Sequence, residues 1–338
     1  MGDLSDTFFR RGADFLGVTY PFICGAMTWV SDPTLVAAVA NSGGFGCLAG
    51  GNAPVDVLES QIEKTRALTD RPFGINVITI APVYREHLRL LKRVKPPFVI
   101  FAGSFPSRRE IEEVKETGAK VLCFASTNSI ANRMLRYGTD ALILEGMEAG
   151  GHVGHVSLTV LLQQLLFEID EVPVFVAGGI ASGKMCAHLL LMGAAGIQIG
   201  TRFAVSKESC AHPDFKERFI KAKAREAVST PQFDSRLPVV AVRALRNRGL
   251  DRFGALQLDL LKKMDAGQIG RSLAQQEVER YWMGALRKAV VDGDIHSGSL
   301  MAGQSVGLVN KEESVQDIIA DLVSETEKEL TRTRSLLS

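Results

Sequence analysis

The amino-acid sequence predicts an α/β protein built on a closed (β/α)8 (TIM) barrel, with a mainly helical domain inserted after strand eight. Short apolar runs alternate with segments of helical spacing, in units of about 20 to 30 residues, as parallel barrels require. The alternation stops after about residue 201, where a long segment richer in Arg and Lys begins. An open doubly wound sheet is the alternative, but Gly25-Ala26-Met27-Thr28 does not supply its Gly-x-Gly-x-x-Gly signal.

Apolar runs bounded by glycine or polar residues are predicted as the eight barrel strands. In chain order they are Tyr20–Met27, Phe45–Ala49, Phe73–Val77, Phe98–Ala102, Lys120–Ala125, Ala141–Leu144, Pro173–Val176 and Ile197–Ile199. The last two are strands seven and eight of the predicted barrel.

Helices are predicted between these strands from capping residues and apolar spacing. The first follows Ser31-Asp32-Pro33 and ends at Gly43-Gly44, because Asp and Ser cap helix starts and glycine ends helices. The others are predicted at about Pro54–Ala67, Arg85–Lys95, Ser107–Thr117, Ser129–Tyr137, Leu158–Ile169, Lys184–Met192 and Ser314–Lys328. The last of these is expected to close the barrel as its eighth helix.

A second domain is predicted where the alternation stops. Residues 211–309 are read as a helical insert or lid, with helical spacing in Leu256–Met264 and Ala274–Val290. The barrel domain then comprises residues 1–210 and 310–338.

Composition excludes several classes of protein. Thirty-nine basic residues balance thirty-eight acidic ones, so no net field would recruit nucleic acid or an anionic membrane. The five cysteines include no Cys-x-x-Cys pair, and no His and carboxylate cluster has metal-ligand spacing, so neither a disulfide framework nor a metal site is predicted. No apolar run has the length of a membrane span, and a cytoplasmic protein is expected.

Acid, glycines and a histidine follow the sixth strand directly, in the stretch Glu145–Gly154. Glycines allow positive φ or close approach to a flat ligand, and histidine suits proton transfer near neutral pH. His152 is therefore the candidate catalytic residue. The alternative is a glycine-rich surface turn with an incidental histidine.

Two glycine-containing loops predict a phosphate site. Gly178 and Gly179 follow strand seven, and Gly200 and Thr201 follow strand eight. These are the loops that often hold phosphate in barrels, because glycine frees backbone N–H groups and Thr201 adds a hydroxyl.

Other strand ends complete the predicted site. Gly25, Ala26 and Met27 offer close backbone approach after the first strand, and Asn76 places an amide at the end of the third. A buried amide needs partners, so Asn76 either binds a ligand or satisfies backbone groups. Glu145 likewise places a carboxyl group at the end of the sixth strand. It either binds a ligand or forms a structural ion pair.

The motifs together resemble those of a flavin-dependent family that contains nitronate monooxygenases (2-nitropropane dioxygenases) and enoyl-acyl-carrier-protein reductase II. The resemblance is carried by Tyr20-Pro21, Gly25-Ala26-Met27, Gly50–Pro54, Arg71–Asn76, Glu145–Gly154, Ala177–Ile180 and Gly200–Phe203, in that order. Glu145–His152, Lys207–Ser209 with Ala211–Pro213, and Gly298–Gln304 look more like the enoyl reductase branch.

The resemblance implies a barrel that binds FMN through Gly25, Ala26, Met27, Asn76, Glu145, Gly178, Gly179, Gly200 and Thr201, with His152 as the catalytic residue. Two departures from the family pattern concern the substrate more than the cofactor. Ala26 stands where the family commonly has glycine, and Phe105 lies in a loop, Ala102–Pro106, that the family usually forms from Gly-x-Gly-x-Pro.

The resulting functional hypothesis is reduction of a trans-2-enoyl thioester on acyl carrier protein, by NADH or NADPH through FMN. Nitronate monooxygenase, NAD(P)H:quinone reductase and a flavin-binding module without turnover are the alternatives. Arg243, Arg246, Arg248 and Arg252 are read either as a docking patch for acidic carrier protein or as an ordinary solvated face. A small-molecule substrate is the other partner considered, and a homodimer is expected from the family only.

Overall fold

The computed structural model describes residues 3–230, 232–237, 239 and 241–336, and the remaining positions of the two predicted domains lie outside the described residues. Across these residues, eight parallel strands close into a barrel in the order β1-β2-β3-β4-β5-β6-β8-β9. They are β1 (Phe22–Cys24), β2 (Phe45–Ala49), β3 (Gly74–Ile78), β4 (Phe98–Ala102), β5 (Lys120–Ala125), β6 (Ala141–Glu145), β8 (Val174–Ala177) and β9 (Gly196–Ile199). The predicted (β/α)8 barrel is confirmed.

Alternate residues of these strands face the barrel interior and the surrounding helices. Phe45, Phe98 and Phe175 belong to the inner cluster, whereas Phe22 and Phe101 pack with the helices. Both faces of each strand are therefore buried, which explains why the strands appear in the sequence as continuous apolar runs.

Helices surround the barrel and connect its strands. They are α2 (Pro33–Asn41), α3 (Val55–Leu68), α4 (Tyr84–Val94), α5 (Arg108–Lys115), α6 (Asn128–Tyr137), α7 (Leu158–Leu161), α8 (Gly183–Leu191), α9 (Thr201–Ala204) and α13 (Val315–Ser335). Asp32 caps α2 by accepting from Leu35 N at 3.0 Å, as predicted. The helix predicted at Leu158–Ile169 is shorter, and α7 continues as a π-helix over Leu162–Leu166.

A helix absent from the sequence prediction, α1 (Asp3–Leu16), closes the amino-terminal end of the barrel. Phe15 and Leu16 join the inner cluster from below, and Lys120 Nζ donates to Phe15 O at 2.6 Å. Ser5 of α1 also donates to Glu327 of α13 at 2.9 Å. The first and last helices of the described chain therefore contact each other.

The segment after β9 contains α10 (Pro213–Ile220), α11 (Arg248–Asp265) and α12 (Arg271–Val290), with short 3₁₀ helices at Ala224–Glu226 and Gln304–Leu308. Helices α11 and α12 build their own apolar cluster around Phe253 and Trp282. The sequence did not predict the small antiparallel sheet formed by β10 (Ala227–Ser229), β11 (Val242–Leu245) and β7 (Gly151–His152). Strand β7 comes from the barrel loop, so this sheet joins the helical segment to the barrel.

No helix within the described residues is both long and apolar enough to cross a bilayer. The longest, α13, packs against α8 instead. Gly183 N donates to Glu325 Oε2 at 2.7 Å, and Thr326 Oγ1 donates to Gly183 O at 3.0 Å. Helix α13 thus closes the ring of helices, as predicted for the eighth helix of the barrel.

A pair of glycine substitutions tests this closure. We expect Gly183→Ala to lower the free energy of unfolding by about 1–3 kcal/mol, because its new methyl group would clash with the Leu322 carbonyl of α13. Gly284→Ala is the matched control, since Gly284 lies exposed in α12 with nothing near its position. It should raise stability by about 0.5–1 kcal/mol. Denaturant unfolding measures both, and equal effects of the two substitutions would contradict the packing described.

Candidate active site

A cavity of about 440 Å³ lies where the carboxyl ends of the barrel strands meet the helical segment. Its size suits a small molecule or cofactor. The sequence-predicted residues all line this one cavity: His152, Gly25, Ala26, Met27, Asn76, Glu145, Gly178, Gly179, Gly200 and Thr201. The structure therefore brings the whole predicted set together, while the role of each residue stays a prediction.

The loops after β8 and β9 form a cradle of free donors. Gly178 and Gly179 have φ of +105° and +72°, and a Cβ at Gly178 would lie 3.0 Å from Gly146 O. Among the described residues, no acceptor takes the amide N–H of Gly179 or Ile180. Thr201 Oγ1 accepts from Gly303 N at 3.2 Å, so its own hydroxyl hydrogen remains available. Such a group of donors fits the phosphate of FMN.

Two amides lie at the strand ends beside this cradle. Asn76 is 5% exposed and donates from Nδ2 to Ile100 O at 3.2 Å, which leaves its Oδ1 for a ligand. The sequence analysis missed Gln198 of β9, which lines the same cavity. A Cβ at Gly25 would lie 3.0 Å from the Gln198 side chain, so a larger residue there would require Gln198 to shift. The signal was available, because Gln198 interrupts an apolar strand as Asn76 does.

Glu145 ends β6 in the cavity wall. Burial without a nearby cation raises the pKa of its carboxyl group to about 8. Glu145 is therefore mainly protonated at neutral pH, and a neutral carboxylic acid both donates and accepts hydrogen bonds. Burial is the sole cause of this shift, and no described cation pairs with Glu145, so the ion pair predicted as its alternative role is absent among the described residues.

His152 lies on β7, which pairs with β11. Val242 is the partner of His152 in this ladder, and Val153 N donates to Ala241 O at 2.9 Å. Within the described chain, Nε2 of His152 is buried and has no hydrogen-bond partner. Burial also lowers the pKa of the imidazole, so His152 is neutral at pH 7 and suited to donate a hydrogen bond.

Arg243 of β11 binds the backbone of the loop that carries His152. It is 4% exposed, and its Nε donates to Met147 O at 2.9 Å while Nη1 donates to Ala227 O at 2.6 Å. The sequence analysis placed Arg243 in a surface cluster with Arg246, Arg248 and Arg252. That interpretation is wrong for Arg243, because its strand pairs with the loop that carries His152, whereas the other three are exposed.

The opposite wall of the cavity is apolar. Trp282, Leu286 and Val290 project from α12 at intervals of one turn, and Phe215 adds a ring from α10. No Lys or Arg is among the described lining residues. Because Glu145 and His152 are both neutral at pH 7, this cavity favours an uncharged ligand beside the phosphate cradle.

A match to a protein-family model assigns the chain to a family. The model described as nitronate monooxygenase matches residues 10–87 and 78–325. The chain belongs to the nitronate monooxygenase family. Members of this family are flavin-dependent oxidoreductases, which implies FMN, and the cradle and amides described above are consistent with that cofactor.

Relatives of this nitronate monooxygenase family member have different activities. FabK from Thermotoga maritima superposes with a TM-score of 0.86 at 35% identity, over 96% of this chain and 98% of that chain. A Rhodococcus jostii protein, (3aS,4S,5R,7aS)-5-hydroxy-7a-methyl-1-oxo-octahydro-1H-indene-4-carboxyl-CoA dehydrogenase, is 32% identical over 94% of this chain and 95% of its own length. Nitroalkane oxidase from Streptomyces ansochromogenes has a TM-score of 0.79 at 27% identity, over 95% and 99% of the two chains. Membership of the family establishes flavin-dependent oxidoreduction, but relatives with such different activities do not identify the substrate.

Glu145 makes the stability of the flavin-free protein depend on pH. Its pKa is about 8 in the folded state against an ordinary value of 4.5, so the folded state keeps this proton while the unfolded state loses it. The contribution of protonated Glu145 to the free energy of unfolding is complete below pH 4.5 and is lost as pH rises to about 8.

We therefore expect Glu145→Gln to be more stable than the wild type at pH 8.5, by about 5 kcal/mol, and little different at pH 4.5. Thermal or denaturant unfolding of the flavin-free proteins at both pH values measures the difference. A constant difference across this range would show that Glu145 is ionised in the folded state.

Proposed function

We propose that this protein reduces the α,β double bond of a trans-2-enoyl thioester, with NADH or NADPH as the reductant and FMN as the cofactor. The carrier of the acyl group is acyl carrier protein or coenzyme A. One observation carries the proposal: an uncharged cavity with an apolar wall presents the neutral, unpartnered imidazole of His152 beside a phosphate cradle.

FMN, when bound, supplies hydride transfer between the nicotinamide and the substrate. The backbone N–H groups of Gly179 and Ile180, with the Thr201 hydroxyl, would hold its phosphate. Asn76, Glu145 and Gln198 are the polar groups available to its ring and ribityl chain.

Reduction adds a hydride to the β-carbon of the enoyl group and a proton to the α-carbon. After hydride addition, negative charge accumulates on the thioester oxygen as an enolate. A neutral imidazole that donates one N–H bond to this oxygen stabilises the charge without itself losing a proton. His152 is suited to this role because its pKa is lowered by burial. The α-carbon proton then comes from solvent, because the neutral imidazole keeps its own N–H.

The absence of Lys and Arg among the described lining residues favours a neutral thioester over a nitronate. A nitronate is an anion, and its transfer into a cavity without a cation is costly. The carboxyl-CoA named for the Rhodococcus jostii relative is itself a thioester, which supports this substrate class. That relative is a dehydrogenase, so thioester oxidation on the same site is the second candidate reaction.

An anaerobic experiment separates these reactions. The purified yellow protein is mixed with NADH or NADPH while flavin absorbance is followed, and crotonyl thioester, a nitronate or a quinone is then added. We expect bleaching by one nucleotide and reoxidation by the enoyl thioester. Bleaching by the nitronate alone would overturn the proposal in favour of nitronate oxidation, and reoxidation by quinone alone would make the protein a quinone reductase. Bleaching by a saturated acyl thioester would identify the dehydrogenase.

Substitution of His152 tests its proposed role. We expect His152→Ala to lower the turnover number for enoyl thioester by about 10²–10³-fold, the usual cost of removing one donor to an oxyanion. The flavin content and the rate of flavin reduction by NAD(P)H should be retained, because the phosphate cradle is untouched. Stopped-flow absorbance measures the two half-reactions separately. Unchanged reoxidation by thioester in the variant would rule out this role for His152.

A further inference from the structure

The rim of the cavity carries an arginine stacked on an aromatic ring. We propose that Arg133, held on Phe105, binds the phosphate of the pantetheine arm to which the acyl group is attached. This inference rests on the proposed thioester function, and it names where the carrier arm leaves the cavity.

Phe105 lies where the cavity opens to solvent, because it lines the cavity and is nevertheless 42% exposed. The guanidinium carbon of Arg133 lies 4.4 Å from the centroid of this ring. Arg133 belongs to α6, one turn after Ile130, which also lines the cavity. The cation is therefore fixed at the mouth, outside the uncharged interior.

No carboxylate among the described residues pairs with Arg133, unlike Arg108 of α5, whose Nε lies 2.9 Å from Glu112 Oε1. Two basic residues on α4 and α5 differ in this respect, since Lys92 and Arg109 both pair with Glu113, at 2.9 and 2.7 Å. Arg287 also stacks on an exposed ring, that of Trp29, but it pairs with Asp292 at 3.3 Å. The charge of Arg133 is thus not neutralised by any residue that the structure describes.

Stacking on a ring orients a guanidinium while its N–H edge stays free. That edge matches two oxygens of a phosphate, which a flexible ammonium group does not do as well. Phe105 belongs to the loop after the fourth strand, where the sequence of this chain departs from the usual family pattern. Together, Phe105 and Arg133 form a preorganised site for one anionic group.

A pantetheine thioester has the matching distribution of charge. Its acyl group and pantetheine chain are neutral, and its phosphate is at the far end from the thioester. With the acyl group in a cavity that lacks Lys and Arg among its described lining residues, the phosphate would lie outside it, where a cation is available. Coenzyme A and acyl carrier protein share this phosphorylated arm, so the inference concerns the chemistry that both have.

The test compares crotonyl pantetheine with crotonyl 4′-phosphopantetheine, which differ only in the phosphate. For the flavin-loaded wild type, we expect kcat/KM to be about tenfold higher with the phosphate, as for one charge-assisted contact. In Arg133→Ala this ratio should fall to about one, and in Arg133→Lys it should be intermediate. Arg136→Ala is the matched control, because Arg136 is exposed on the same helix and should leave the ratio unchanged. An unchanged ratio in Arg133→Ala would overturn the inference.

Calorimetric binding of free 4′-phosphopantetheine and pantetheine separates failure of this site from failure of the proposed reaction. Absence of thioester turnover, with phosphate binding that depends on Arg133, overturns the reaction alone. Turnover with binding that does not depend on Arg133 overturns the subsite alone. Crotonyl-CoA and crotonyl-acyl carrier protein identify the source: an equal loss in Arg133→Ala supports the shared arm, and a loss with only one assigns the site to that carrier.

Discussion

The short antiparallel pairing between β7 and β11 is the constraint on which the site depends. It connects a loop of the barrel to a strand from the segment after β9, and it fixes the backbone of His152 against Val242. Arg243 extends the connection by donating to Met147 O on one side and Ala227 O on the other. A glycine-rich loop would otherwise have many conformations, and the imidazole of His152 would have no fixed position.

Burial gives the cavity its chemical character. The same desolvation raises the pKa of Glu145 and lowers that of His152, so an acid and a base are both neutral under the same conditions. The polar groups that remain are directional hydrogen-bond donors and acceptors. Such groups stabilise charge that appears during a reaction without attracting charged molecules beforehand. The proposed carrier arm would bring its charge only to the rim, where Arg133 lies on Phe105.

Much of the barrel could be predicted because its signals are local. Apolar runs identified β2, β4 and β5 with the bounds that the structure has, and the Asp32 cap located the start of α2. The glycine loops indicated the cradle for the same reason, since their conformation is set by their own residues. Gln198 could have been found by the reasoning that was applied to Asn76.

The remaining features depend on contacts between residues that are distant in the sequence. Strand β7 has two residues and is recognisable only through its partner β11, about ninety positions later. Arg243 appeared to belong to a basic surface because Arg246, Arg248 and Arg252 follow it closely in the sequence, whereas the pairing of its strand buries it. Helix α1 was missed because its role is to fill the amino-terminal end of a barrel that forms from later residues.

The contact between α1 and α13 has a consequence for how the chain reaches its native state. Strand β1 pairs with β9, and Ser5 contacts Glu327, so the ring is complete only when residues from both ends of the described chain are present. A ribosome releases these ends far apart in time. The edge of β1 therefore stays unpaired until β9 emerges, and α1 lacks its contact with α13 until the last helix emerges. Pairings of such long sequence separation form late and expose the chain to aggregation during synthesis.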